Sequence, residues 1–204
     1  MKAGDDAINH NAFWLSNVHE ILSFVSLAGS WCETQKDDHE FDLLLQTVKR
    51  ELGSLELNIY HTWMIPLKGK LQKMAVSAII ESQSLPGFIT NDGNMFQNRT
   101  LTPSGQQFTM GDLLSLFNKV YKVLQGYFIE ESTVTQAVTE LSKLVGVTAF
   151  NGLLIRKNFS SWKRGLQISY NLMLLEEWCI FHGVPKDTLQ LEHLMVQYAF
   201  IYQL

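Results

Sequence analysis

Cysteine is scarce in this chain: two among 204 residues, Cys32 and Cys179, with no Cys-x-x-Cys and no Cys/His cluster around either. That excludes a disulfide scaffold and a zinc module, and leaves two free thiols in apolar helical surroundings, as a reducing compartment keeps them. Proline is nearly as rare, with four residues, so interruptions of regular structure are few and easily located. Gly-rich phosphate loops and nucleophile elbows are absent, and the six histidines, His10, His19, His39, His61, His182 and His193, stand singly. His19 lies beside Glu20 on a strongly apolar segment and reads as a surface or hydrogen-bonded histidine. Glu176 and Glu177 are adjacent, so on a helix they diverge by about 100°, cannot face each other as acid and base, and read as solvated. No catalytic residue, metal site or cofactor is expected, and the chain reads as a non-enzyme. There is no excess of positive charge either: the net charge is −4 and the sequence pI about 5.8, which argues against a general nucleic-acid binder. No apolar run approaches the ~18 residues that a membrane span needs, and the polar first residues, with Asp5 and Asp6, resemble no targeting signal. A cytoplasmic protein without direct membrane insertion is expected.

What the chain does have is core material: 46 % of its residues are hydrophobic and 18 % charged, more apolar than a disordered chain could be. It is arranged with helical period. From an N-cap at Asn11, Trp14, Leu15, Val18, Ile21, Leu22 and Val25 line one face of a helix that ends near Gly29. After a charged connector, Glu33 to Glu40, a second helix starts near Asp38 and carries Phe41, Leu44, Leu45, Val48, Leu52, Leu55 and Ile59. Pro66 is expected to kink or restart it, and Leu67, Leu71, Met74, Ala75, Ala78 and Ile79 continue the period until it fades before Pro86. From Leu85 to Phe108 prolines, glycines and asparagines leave no periodicity, which predicts a long mobile loop at 85–108.

Helical texture returns at Thr109, which with Asp112 has capping-box spacing, using the shorter acid, ahead of Leu113, Phe117, Val120 and Leu124. Gly126 loosens that end. Another helix begins near Ser132, a further apolar stretch covers Val147 to Ile155, and the polar run Asn158 to Ser161 interrupts it. Ser160 or Ser161 caps a helix carrying Leu166, Tyr170, Met173, Leu174 and Trp178, which Gly183 and Pro185 stop. A last helix, capped near Asp187, presents Leu194, Met195, Tyr198 and Ile201 and reaches the terminus still apolar, so an exposed patch that self-associates is expected there. No convincing strand or internal repeat is found. The fold class is all-α, a multi-helix bundle of about seven helices.

The most unusual stretch runs from Arg156 to Asn171, where four basic residues and large aromatics crowd an otherwise mildly acidic chain. It can be a helix start with aromatics in the core and solvated cations, or a basic and aromatic patch for an acidic or amphipathic partner. On the second reading Arg156, Lys157, Lys163, Arg164, Gln167 and Tyr170 are the partner-binding residues, while Trp162 belongs mostly to the core. In the 85–108 loop, Thr100, Thr102 (followed by Pro103) and Ser104, with Arg99 just upstream, are candidate phosphorylation sites.

The run Asn151-Gly-Leu-Leu-Ile-Arg-Lys-Asn-Phe-Ser-Ser-Trp-Lys-Arg-Gly-Leu-Gln-Ile-Ser-Tyr-Asn171, with Glu176-Glu-Trp178 after it, closely resembles the signature of the dilute domain in the globular tail of class V myosins. Ala12-Phe-Trp-Leu-Ser-Asn-Val-His19 is similar to that family's Phe-Trp-Leu-Ser-Asn helix, and the wording around Trp162 and Trp178 resembles the fungal branch. The resemblance covers 9–204 and implies an elongated all-helical tail, its first subdomain and the start of the second, with 85–108 as an internal flexible loop. It further implies a cargo-binding role on vesicles and organelles moved along actin, with Rab GTPases and adaptor proteins as partners and the myosin motor head as a possible autoinhibitory one. Motor domain, IQ motifs and coiled coil are absent from these residues, which leaves a free-standing dilute-domain adaptor or competitor as the alternative.

Overall fold

The computed structural model describes residues 2–32, 39–87, 108–155 and 162–184; for 2–7, 32, 39 and 162 only the backbone is described. All regular structure among them is helical. In chain order it comprises α1 (Lys2–Cys32), α2 (His39–Val76), a π-helical turn (Ser77–Glu81), α3 (Met110–Gly126), α4 (Glu131–Leu154) and α5 (Trp162–Phe181). The all-α class stands. Five α-helices and one π-turn lie among the described residues, while the final helix expected beyond Asp187, the connector 33–38 and most of the 85–108 loop lie outside them.

Several boundaries differ from those expected, each for a packing reason. Asn11 is no N-cap: α1 runs through it from Lys2, because Ile8, one turn earlier, is already buried and its carbonyl accepts the Trp63 indole N–H at 3.2 Å. Gly29 does not end the helix but sits where α1 meets α2, so close that a Cβ there would come within 2.6 Å of Leu45 Cδ2 and Lys49 Nζ. Pro66 neither ends nor restarts α2, which is one helix of 38 residues. The ring faces solvent, where the Thr62 carbonyl it leaves without an amide donor can meet water, and Trp63, Met64, Leu67 and Leu71 are buried on the inner face on either side. The Val147 to Ile155 stretch is no separate element; up to Leu154 it is the second half of α4.

The chain packs as two units. One comprises 1–66 with 122–130, the other 67–121 with 131–204, so α2 and α3 each contribute to both. The first unit buries Ile8, Ala12, Leu15, Val18, Tyr60, Trp63, Met64, Leu124 and Ile129. His19 Nδ1 lies 2.7 Å from Glu56 Oε1 and its Nε2 3.4 Å from Glu130 Oε2, so the histidine is hydrogen-bonded as expected and ties three segments together. Trp14, Ile21, Phe41, Leu44, Val48 and Leu55, assigned to core faces by their period, are instead exposed. Period shows that a face is apolar; it does not show that a second surface meets it.

The second unit buries more side chains. Leu71, Met74, Ala75 and Ala78–Ile80 from α2 and the π-turn pack with Leu113, Phe117 and Val120 of α3, Val138, Leu141, Val145 and Ala149 of α4, and Ile168, Leu172 and Leu175 of α5. The Thr109–Asp112 capping box forms as expected: Thr109 N–H donates to Asp112 Oδ2 at 2.8 Å and Asp112 N–H to Thr109 Oγ1 at 3.2 Å. The Thr109 N–H bond first, and then the Thr109 hydroxyl donating to the same Oδ2 at 2.7 Å, hold the Asp112 carboxyl below its ordinary pKa. At the other end of the unit, α5 closes on Gly183 (φ +82°), with Gly183 N–H on Ile180 O and Val184 N–H on Cys179 O, both at 3.0 Å. Lys68 and Glu140 form an ion pair between α2 and α4. Among the described residues no helix is long and apolar enough to cross a membrane, and no three His, Cys, Asp or Glu side chains are grouped to hold a metal.

Candidate partner-binding face

The π-turn and α5 together build the site. A π-helix widens each turn by one residue, so its final carbonyls cannot all find amides within the helix. Asn171, fully buried on α5, answers this. Its Nδ2 lies 2.9 Å from Ile79 O, 3.1 Å from Ser82 O and 3.4 Å from Ala78 O. One turn earlier on the same face, Gln167 Oε1 accepts from Leu85 N–H at 3.3 Å and its Nε2 donates to Asn171 Oδ1 at 3.3 Å. The opposite amide orientation brings the Gln167 oxygen to 2.8 Å from Ser84 N–H and 3.0 Å from Leu85 N–H, so either way the side chain holds the start of the 85–108 segment.

The far end of that segment returns to the same place. Phe108 N–H donates to Ser77 Oγ at 3.3 Å and Met110 N–H to Ser82 Oγ at 3.2 Å. One stem is thus held by Gln167 of the signature helix and the other by Ser77 of the π-turn and Ser82 just after it.

The signature residues therefore divide by face. Arg164 (6 % exposed) and Gln167 (1 %) point inward with Ile168, Asn171, Leu175 and Cys179. Lys163 is exposed and Tyr170 half-buried; Arg156 and Lys157 lie outside the described residues, as do Thr100, Thr102, Ser104 and the side chain of Trp162. Glu176, expected in solvent, is buried, whereas its neighbour Glu177 is exposed, the divergence of adjacent helical positions placing one on each face. Leu166 and Met173, two of the periodic apolar residues of this helix, are exposed. At spacings of three and four, Lys163, Leu166, Tyr170, Met173, Glu177 and Ile180 form one outward stripe, apolar along its length with a cation near its N-terminal end and an acid further along. Leu166 and Met173 were not among the partner-binding residues expected from the sequence, because the helix is apolar on both sides and period alone could not choose between them.

Two further contacts fix α5. Trp178 donates its indole N–H to Asn118 Oδ1 at 2.8 Å and packs on Phe117 with ring centroids 5.2 Å apart, which joins α5 to α3. Cys179, free and fully buried as expected, lies 3.1 Å from Ser142 Oγ on α4, and burial above all pushes its thiol up to about 11. At neutral pH it is an inert thiol. Cys32 carries no described side chain. Nothing in this arrangement activates a nucleophile or positions an acid and a base; it presents a rigid helix face.

A DIL domain model matches residues 136–202, the stretch holding most of α4 and all of α5. Residues 136–202 therefore carry a DIL domain, and the solved structures that the chain matches are cargo-binding tails rather than motor heads. Its similarity is to the globular tails of fungal class V myosins. It is 39 % identical over 210 residues to Myosin-2A of Naumovozyma castellii, across 98 % of this chain and 13 % of that protein. It is 37 % identical over 201 residues to Myosin-2 of Saccharomyces cerevisiae, across 94 % of this chain and 13 % of that protein. Its fold matches Myo2-GTD in complex with Smy1 with a TM-score of 0.78 at 35 % identity, covering 97 % of this chain and 48 % of that one. A myosin V cargo binding domain matches with a TM-score of 0.74 at 35 % identity, covering 96 % and 47 %. The chain thus spans about an eighth of the full-length relatives and about half of the solved tails.

Proposed function

We propose that this chain is cargo-binding tail material of a class V myosin, that residues 9–204 act as one dilute-domain module, and that the outward face of α5 with the basic segment before it receives organelle and vesicle adaptor proteins in the cytoplasm. The observation that carries the reading is the division of labour on α5. Its inner face is used in holding the π-turn, α3 and α4, while its outer stripe of exposed Lys163, Leu166 and Met173 with half-buried Tyr170 makes the preorganised surface that recognition favours. Related tails solved with Smy1, Mmr1 and Inp2 support protein adaptors as the partner class.

On this reading Arg156, Lys157 and Lys163 supply charge to the contact, Tyr170 supplies area, and Arg164 and Gln167 act from below by fixing the helix that carries them. Rab GTPases and the motor head are further partners of the same module, and phosphorylation at Thr100, Thr102 or Ser104 adds negative charge that draws the loop toward Lys163 and competes with adaptors. The test is charge reversal at Arg156, Lys157 and Lys163, measured against the adaptor counterparts of Smy1, Mmr1 and Inp2. Binding is expected to weaken at least tenfold for one or more adaptors with the thermal melt unchanged. Full retention of all three would remove this face from the proposal. A Thr102→Glu variant checks the switch, with weaker adaptor binding expected.

A further inference from the structure

Both α3 and α5 end in the same backbone motif, but with different residues at its critical position. At the end of α5 the left-handed residue is Gly183. At the end of α3 it is Phe128, at φ +55°, where Phe128 N–H meets Gln125 O at 3.1 Å and Ile129 N–H meets Leu124 O at 3.0 Å. A bulky side chain is strongly disfavoured there, and glycine or asparagine would close the motif without strain. Burial does not offset the strain, because Phe128 is 91 % exposed. The fold therefore gives no reason for an aromatic residue at this position.

The surroundings suggest one. The preceding residue, Tyr127, meets Phe13 edge to face with centroids 6.1 Å apart; Phe13 meets Trp14 at 5.5 Å, and Trp14 meets His10 at 6.3 Å. Phe13 and Trp14 are themselves exposed, so a run of rings lies open along α1 and reaches, through Tyr127, the turn that carries Phe128. Two residues after Phe128 comes Glu130, half-exposed and leading through His19 to Glu56. Open aromatic faces together with carboxylates attract a cation, above all the planar guanidinium that can lie on a ring while it meets an acid.

We propose that the aromatic surface of Phe13, Trp14, Tyr127 and Phe128, with Glu130, is a docking site for an arginine-bearing peptide segment of a partner, distinct from the α5 face and independent of it. Phe128 is kept in a strained conformation for contact, and the strain supplies the test. A nine-residue fluorescent peptide alternating arginine and leucine is titrated against the full chain by anisotropy, beside the same peptide with glutamine for arginine. The arginine peptide is expected to bind and the glutamine peptide to bind at least tenfold more weakly. Phe128→Gly and Phe128→Asn are each expected to lose at least tenfold in affinity while the melting temperature holds or rises by about 2 to 4 °C. Glu130→Gln is expected to weaken binding several-fold and to flatten its salt dependence. The proposal is overturned if the arginine peptide does not bind, if the glutamine peptide binds equally, if the Phe128 variants bind as well as the parent chain, or if both lower the melting temperature.

Discussion

The first unit's long helices and the second unit's signature helix are both rich in apolar residues, yet they use them differently. Along α1 from residue 19 to 31 and α2 from 40 to 59 no large side chain is fully buried, and Phe24, Leu27, Trp31, Leu44 and Leu55 are largely exposed. In α5, by contrast, one face is sealed against the π-turn, α4 and α3 and the other is left open. An apolar side chain stabilises a fold only where a second surface arrives to cover it, and in the second unit buried polar groups decide where that surface sits.

The comparison is broken most forcefully by paired tryptophans. Trp63→Ala is expected to cost about 3 to 5 kcal/mol in denaturant unfolding, because it empties a core position and leaves the Ile8 carbonyl without its donor. Trp31→Ala, at a position 77 % exposed, is expected to cost less than about 1 kcal/mol. Equal losses would mean that the α1–α2 face is covered after all.

Asn171→Leu comes next, at about 2 to 4 kcal/mol, since it leaves the carbonyls of Ile79 and Ser82 buried without a donor. Amide exchange at Ser84 and Leu85 should quicken in the same variant as the Gln167 clamp loses its neighbour. A variant as stable as the parent would show that the π-turn holds itself.

Two glycines sharpen the contrast further. At Gly152 a Cβ would lie 2.6 Å from Cγ2 of Val76, a stiff β-branched side chain, and Gly152→Ala is expected to cost about 1 to 3 kcal/mol. At Gly29 the atoms met are the tips of Leu45 and Lys49, which can move aside, and Gly29→Ala is expected to be within about 0.5 kcal/mol of neutral. Thermal melts of the two variants distinguish these outcomes.

The smallest effect is at the Thr109–Asp112 cap, where Thr109→Ala is expected to cost about 1 kcal/mol. Because the folded pKa of Asp112 is depressed, its share is present above the unfolded carboxyl pKa and is lost as pH falls through the folded value. Stability measured from pH 6 down to pH 2 should therefore fall less steeply in Asp112→Asn than in the parent chain.

Local chemistry was the legible part of the sequence. The Thr109–Asp112 spacing, the stop at Gly183 and the fading of α2 before Pro86 each depend on residues within a few positions, and each is found where it was expected. The π-turn was not legible, because what holds it is Asn171, 89 to 93 residues away. For the same reason the inward turn of Arg164, Gln167 and Glu176 could not be read from their polar character. At Pro66 α2 does not restart, because a helix with core contacts on both sides outweighs one missing hydrogen bond. Phe128 gave no signal at all, since the residue types that mark a left-handed stop are glycine and asparagine.

The central claim is that α5 holds the fold with one face and meets partners with the other. Hydroxyl-radical footprinting of the chain, alone and saturated with an adaptor counterpart of Mmr1 or Inp2, separates the two faces, because Leu166 and Met173 are exposed, Tyr170 is half-buried and all three are readily oxidised, while Ile168, Leu172 and Leu175 are sealed. Bound adaptor is expected to protect Leu166, Tyr170 and Met173 and to leave the inner three unreactive throughout; equal oxidation of the outer three with and without adaptor would mean that this face meets no adaptor.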